Sequence, residues 1–269
     1  RSTAVTFPGS TLPRPPALRP AAVLGSILRR RAVRTLFQPI VHLASGGVAG
    51  FSATSRGPLG SRLESPEALL AAARDAGRLG ELDWVLRVAA LEAAGASRLH
   101  PSLSWCVNVE PAGLATECPP ELRDAYGYWR NRLRGVLEVT GRDDPDPALL
   151  LAAGAVAERD GWGLALDRVG RDEQSLAALP VLRPDVVKLD MSLVQREPDD
   201  VSAAVAAAVR EYADQHGAVI IAEGIETLAH FARAAAYGAD FGQGFLFGAP
   251  GPLPERVPAP RLAIPFRRG

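Results

Sequence analysis

Seven short apolar runs in this chain each stop on a polar residue, and that repetition limits the folds open to it more than any other feature. The runs finish in Arg56, Asn108, Glu138, Asp167, Lys188, Glu223 and Gln243. Between them lie Ala- and Leu-rich stretches with helical spacing. The apolar runs predict strands over 36–43, 48–56, 103–109, 135–140, 163–166, 186–189 and 218–222, with a last segment over 242–247. The first two are joined by a turn at 45–47 and read as an antiparallel hairpin. Helices are expected over 65–77, 81–95, 120–133, 147–159, 174–179, 201–216 and 228–237. Repeated βα units over about 215 residues suit a closed barrel or a large open sheet. An open sheet uses only the strand ends at its switch point, whereas a barrel gathers every carboxyl end around one mouth. Polar residues at nearly every end therefore point to an α/β fold of the TIM-barrel type. Phe37, Ile40, Val107, Val139, Leu166, Val187 and Ile220 are expected in its core.

Composition narrows the function. Hydrophobic residues make up 47% and charged residues 22%, enough for a core, so bulk disorder is excluded. Thirty basic residues balance thirty acidic ones, so no global field recruits nucleic acid or anionic membrane. No apolar run of about 18 residues and no signal peptide appear, which predicts no membrane span and a cytoplasmic protein. Cys106 and Cys118 form no CxxC pair and read as reduced thiols. The four histidines are scattered without metal-ligand spacing, against a zinc enzyme. Prolines crowd residues 1–20, read as a linker, and 251–269, read as a strap or loose end, around a domain at 21–250. The absence of an initiating Met suggests a piece of something longer. Arg29, Arg30, Arg31 and Arg34 fit the solvated face of a short helix. Lys188 is the only lysine among the thirty basic residues. Arginine replaces lysine poorly where a compact ammonium is needed, so Lys188 is a candidate site residue.

Several blocks, in order, resemble the EAL-domain family of bacterial phosphodiesterases that linearise cyclic di-GMP. Phe37-Gln38-Pro39-Ile40-Val41 is similar to its Q-P-I-V strand and Leu137-Glu138-Val139-Thr140 to its L-E-x-T-E segment. Leu166-Asp167-Arg168-Val169-Gly170 stands where the family has D-D-F-G, and Lys188-Leu189-Asp190 matches K-x-D. Ala222-Glu223-Gly224-Ile225-Glu226 matches A-E-G-x-E, Gln243-Gly244-Phe245-Leu246-Phe247-Gly248 matches Q-G-[YF]-x-F-[GS], and Pro250 falls on the following proline. The resemblance implies a modified TIM (β/α)8 barrel with one antiparallel strand and a cyclic di-GMP site at Gln38, Arg56, Asn108, Glu138, Asp167, Lys188, Glu223, Gln243 and Pro250, to which the chemistry of its side chain adds Arg168.

The family's E-A-L triplet is replaced by Ser52-Ala53-Thr54, the second Asp of D-D-F-G by Arg168, and the second Glu of E-x-T-E by Gly141. In the family, two divalent cations sit on residues matching Asn108, Glu138, Asp167 and Glu223 plus the replaced acids. Two lost anionic donors and one added guanidinium disfavour a hard cation. These departures imply no catalytic residues, no bound metal and no enzyme, with Mg or Mn relevant only if activity survives. The expected function is a metal-free cyclic di-GMP receptor in bacterial signalling. A protein-interaction module with a protein effector partner and a weak phosphodiesterase remain alternatives, as does a homodimer. Arg168 has two readings, a counter-ion for the phosphodiester or a plug paired with Asp167 or Glu138.

Overall fold

Side chains alternate across a β-strand, and the buried clusters of this protein follow that rule. The structure, a computed structural model, describes residues 20–140, 147–260 and 262–266. Helix α1 (Pro20–Arg30) leads into the hairpin β1 (Arg34–His42) and β2 (Val48–Arg56), then α2 (Pro66–Asp75) and α3 (Leu79–Ala96). Next come β3 (Ser104–Val109), α4 (Pro111–Leu114), α5 (Pro120–Arg130), β4 (Arg134–Thr140), α6 (Pro147–Asp160) and β5 (Gly163–Val169). The chain continues through α7 (Glu173–Ala177), α8 (Leu179–Leu182), β6 (Val186–Leu189), α9 (Met191–Gln195) and α10 (Asp200–His216). It ends with β7 (Val219–Ala222), α11 (Leu228–Ala236) and β8 (Phe241–Gln243).

The eight strands close into a barrel in chain order. β1 runs antiparallel to both β2 and β8, and the remaining pairs are parallel. This is the expected barrel with one reversed strand. Local chemistry sets the helix starts: Ser65 accepts from the Ala68 N–H with Pro66 at the first position of α2, and Asp199 and Ser202 form a capping box on α10. Among the described residues, no helix is long and apolar enough to cross a membrane.

All seven residues expected in the core are buried. Phe37, Val107, Val139, Leu166, Val187 and Ile220 face the helices. Ile40 belongs to a second cluster with Cys106, Val136, Ala165, Val186, Ile221 and Phe241, which fills the barrel beneath the mouth. The Pro-rich stretch before Pro20 lies outside the described residues. The stretch after Pro250 is a strap. Gly251 exchanges two backbone hydrogen bonds with Phe37, and Leu253 and Val257 pack on the outer core. Ile264 then joins the inner cluster with no exposed surface. Arg134 fastens it, donating to the Ile264 carbonyl at 3.0 Å and lying 4.5 Å over the Phe266 ring.

Candidate functional site

Five parallel strands each bring a polar side chain, at or just past their carboxyl ends, to one mouth. Asn108, Glu138, Asp167, Lys188 and Glu223 line a cavity of about 400 Å³, together with Arg168 and Gln243. Its centre is Lys188. The Nζ lies 2.8 Å from Glu138 Oε1, 2.7 Å from Glu223 Oε1 and 3.7 Å from Asp167 Oδ1, with only 2% of the side chain exposed. Ser52, where the resemblance would place a glutamate, donates its hydroxyl to Glu138 at 3.3 Å. Asn108 uses its amide to hold the Ala53 carbonyl at 3.0 Å, tying β3 to β2 at the rim.

Burial alone would lower the Lys188 pKa. The charges of Glu138, Glu223 and Asp167 outweigh that cost and lift it well above the ordinary lysine value, so the ammonium is fixed. Glu223 shows the opposite balance. Burial and the neighbouring Asp167 charge, against the pull of Lys188, push its carboxyl up to about 8. About a fifth of the Glu223 side chain remains exposed, so its proton can exchange with solvent at the rim. Beneath the cluster, Cys106 is wholly buried, and burial followed by the Glu138 charge holds its thiol protonated.

The remaining expected site residues divide. Gln38 lies behind the cavity wall, where its Oε1 accepts from Gln243 Nε2 at 2.9 Å and its Nε2 donates to the Gly248 carbonyl at 3.0 Å. The Oε1 of Gln243 is buried and has no hydrogen-bond partner among the described residues. Arg56 ends β2, beside Ser55 of the cavity wall, but does not line the cavity itself. Pro250 is half-buried at the start of the strap. Gly141 lies outside the described residues.

Among the lining residues that escape the sequence reading are two charged, buried ones. Asp83 and Arg87, one turn apart on α3, form a buried ion pair, and Asp83 also accepts the Glu110 N–H at 2.8 Å. The signal available was their i, i+4 spacing within a largely apolar helix.

Among the described residues, no three His, Cys, Asp or Glu side chains are placed to hold a metal, and the three mouth carboxylates turn instead to the Lys188 ammonium.

A match to the EAL domain covers residues 20–250. The chain belongs to the EAL domain family. It is 30% identical over 230 residues to the probable cyclic di-GMP phosphodiesterase PdeB of Escherichia coli strain K12, covering 83% of this chain and 44% of that protein. It is 29% identical over 242 residues to the cyclic di-GMP phosphodiesterase NbdA of Pseudomonas aeruginosa, covering 86% of this chain and 30% of that protein. The chain thus spans less than half the length of these curated relatives. Among solved structures, the PaMucR phosphodiesterase in complex with c-di-GMP superposes with a TM-score of 0.72 at 26% identity, covering 87% of this chain and 98% of that one. Klebsiella pneumoniae BlrP1, in complex with manganese and c-di-GMP, gives 0.69 at 26% identity, covering 82% and 56%.

These relatives correct one expectation. The reading of the chain as no enzyme is overturned, because the proteins that it matches are named cyclic di-GMP phosphodiesterases. The substitutions at Ser52 and Arg168 leave Asn108, Glu138, Asp167, Lys188 and Glu223 together at one mouth. They do not remove the chain from a family of enzymes.

Proposed function

We propose that the barrel mouth binds cyclic di-GMP. The observation that carries this reading is the Lys188 ammonium, buried among Glu138, Asp167 and Glu223 at the ends of four different strands. A buried charge persists only when it is paired, and a cluster of this kind at a cavity floor is costly unless it serves a ligand. Cyclic di-GMP presents anionic phosphodiesters and guanine edges rich in N–H donors. Arg168 in the cavity wall and Arg56 near it suit the first. The unpartnered Gln243 Oε1, an acceptor, suits the second. A cavity of about 400 Å³ lies within the usual range for small-molecule sites. The names of the relatives and of the neighbouring complexes support the same ligand.

Calorimetric titration of the chain with cyclic di-GMP tests the reading. Saturable binding is expected, weakened by Arg56→Ala and by Lys188→Met. A folded protein that gives no heat and no thermal shift with the nucleotide would overturn it.

The relatives' names favour a second activity at the same mouth, hydrolysis of one phosphodiester. Chromatographic detection of the linear product in Mg²⁺ or Mn²⁺, abolished by EDTA, establishes it. Binding with no product at high enzyme concentration would identify a receptor.

A further inference from the structure

Arg168 breaks the side-chain alternation of its strand. In β5, Ala165 and Asp167 face the barrel interior, whereas Leu166 and Val169 pack outward against the helices. The pleat alone would send Arg168 outward with Leu166. Instead the register of β5 on β6 slips between Leu166 and Val169, and Arg168 adopts φ +61°. Its side chain thereby lines the same cavity as Asp167. The left-handed region is costly for a residue with a Cβ and free for glycine, so this backbone holds an arginine at the mouth against its own preference.

The guanidinium is under-used where it stands. Its Nε lies 3.7 Å from Asp167 Oδ2, too far for a hydrogen bond, and among the described residues its side chain donates none. Asp167 is engaged elsewhere: its Oδ1 accepts the Arg168 backbone N–H at 3.0 Å and faces Lys188 at 3.7 Å. About a third of the Arg168 side chain is exposed. A plug locked onto Asp167 would show closer, bidentate contact. A fork of five N–H donors on a strained backbone, open to a cavity whose carboxylates are already turned to Lys188, is arranged for an arriving anion.

We propose that Arg168 is an anion-binding residue of this mouth, gripping the non-bridging oxygens of a phosphodiester in the bound nucleotide. This rests on the reading of the mouth as a cyclic di-GMP site. It adds that a contact made by the chain's own cation, at a position where the family resemblance places an acid, contributes directly to affinity.

Arg168→Gly separates the proposal from structural explanations, because glycine removes the guanidinium and the backbone strain together. Cyclic di-GMP is titrated into the 269-residue chain and its variants with chelator present, and again in Ca²⁺. Arg168→Gly should melt at or above the parent temperature yet bind at least ten-fold more weakly. Its affinity should also fall less steeply with added salt. Arg168→Lys keeps both the charge and the strain but loses the fork, and should fall between the two. Equal or tighter binding by Arg168→Gly and Arg168→Lys, beside a parent that binds, overturns the proposal and leaves the nucleotide site standing. Binding that appears only with Ca²⁺ and ignores both substitutions overturns it too. A folded parent that binds in neither condition removes the nucleotide reading itself, and this inference with it.

Discussion

Lys188 Nζ lies 2.8 Å from Glu138 Oε1, and both side chains are at most 2% exposed. Such a pair is strongly coupled, and removal of one member leaves a charge in low dielectric without its partner. Lys188→Met should therefore destabilise the fold by about 3–5 kcal/mol at neutral pH, the usual scale for breaking a buried pair. Urea unfolding measures it. Adding Glu138→Gln to Lys188→Met should recover part of the loss, because the orphaned charge goes with it. A single variant as stable as the parent would mean that the cluster is hydrated rather than buried.

Glu223 gives the mouth a pH dependence with a definite sign. Its carboxyl titrates near 8, against an ordinary value of 4.5. Below about 8 the group is neutral, and above it the mouth carries one more negative charge. Affinity for an anionic nucleotide should thus fall several-fold between pH 6.5 and pH 9, while Glu223→Gln stays level. Stability follows the same proton. Between about 4.5 and 8 the folded state holds a proton that the unfolded chain releases, so this group's contribution falls as pH rises through that window. Parallel titrations and melts across this range decide both.

The barrel and most of its mouth are legible in the sequence because strand ends are written locally. A polar residue after an apolar run marks Asn108, Glu138, Asp167, Lys188 and Glu223 without any knowledge of packing. The hairpin of β1 and β2 is legible for the same reason. What escapes is set by long-range geometry. Nothing near Arg168 in the sequence signals a left-handed residue in a slipped register, so β5 is expected to end at Leu166 and in fact reaches Val169. The convergence of Glu138, Asp167 and Glu223 on one Nζ joins four strands, and no spacing encodes it. Ile264 sits beside Leu262, Ala263 and Phe266 in a Pro-rich stretch, with no period to reveal which of them is fully buried.

That isoleucine brings the strap into the barrel. The inner cluster it joins contains the small residues Ala49, Cys106 and Ala165, which leave space that strand side chains do not fill. Ile264→Ala should cost about 2–5 kcal/mol, the range for emptying a buried aliphatic site. It should also open the base. In a Cys118→Ser background, the buried Cys106 thiol should react faster with a small thiol reagent once Ile264 is truncated. Unchanged melting and unchanged labelling would show that the strap does not close the barrel.

Asp83 and Arg87 supply the sharpest contrast among the ion pairs of the protein. Their side chains are 4% and 1% exposed, and the guanidinium also lies 4.2 Å over the Trp84 ring. Burial holds the Asp83 carboxyl above its ordinary range despite Arg87, so the pair is taut rather than surplus. Arg78 and Glu81 on the same helix region are bonded twice, at 2.7 and 2.8 Å, but are more than a third exposed. Geometry alone would rank the two pairs together, and desolvation separates them. Arg87→Met should cost about 3–5 kcal/mol, because Asp83 is left buried without its partner. Arg78→Met should cost under about 1 kcal/mol, because water replaces the lost partner. Asp83 also holds the Glu110 N–H two residues beyond Asn108, so Asp83→Ala should loosen the rim and weaken nucleotide binding as well as stability. If Arg87→Met and Arg78→Met shift the unfolding midpoint equally, burial is not what makes this pair matter.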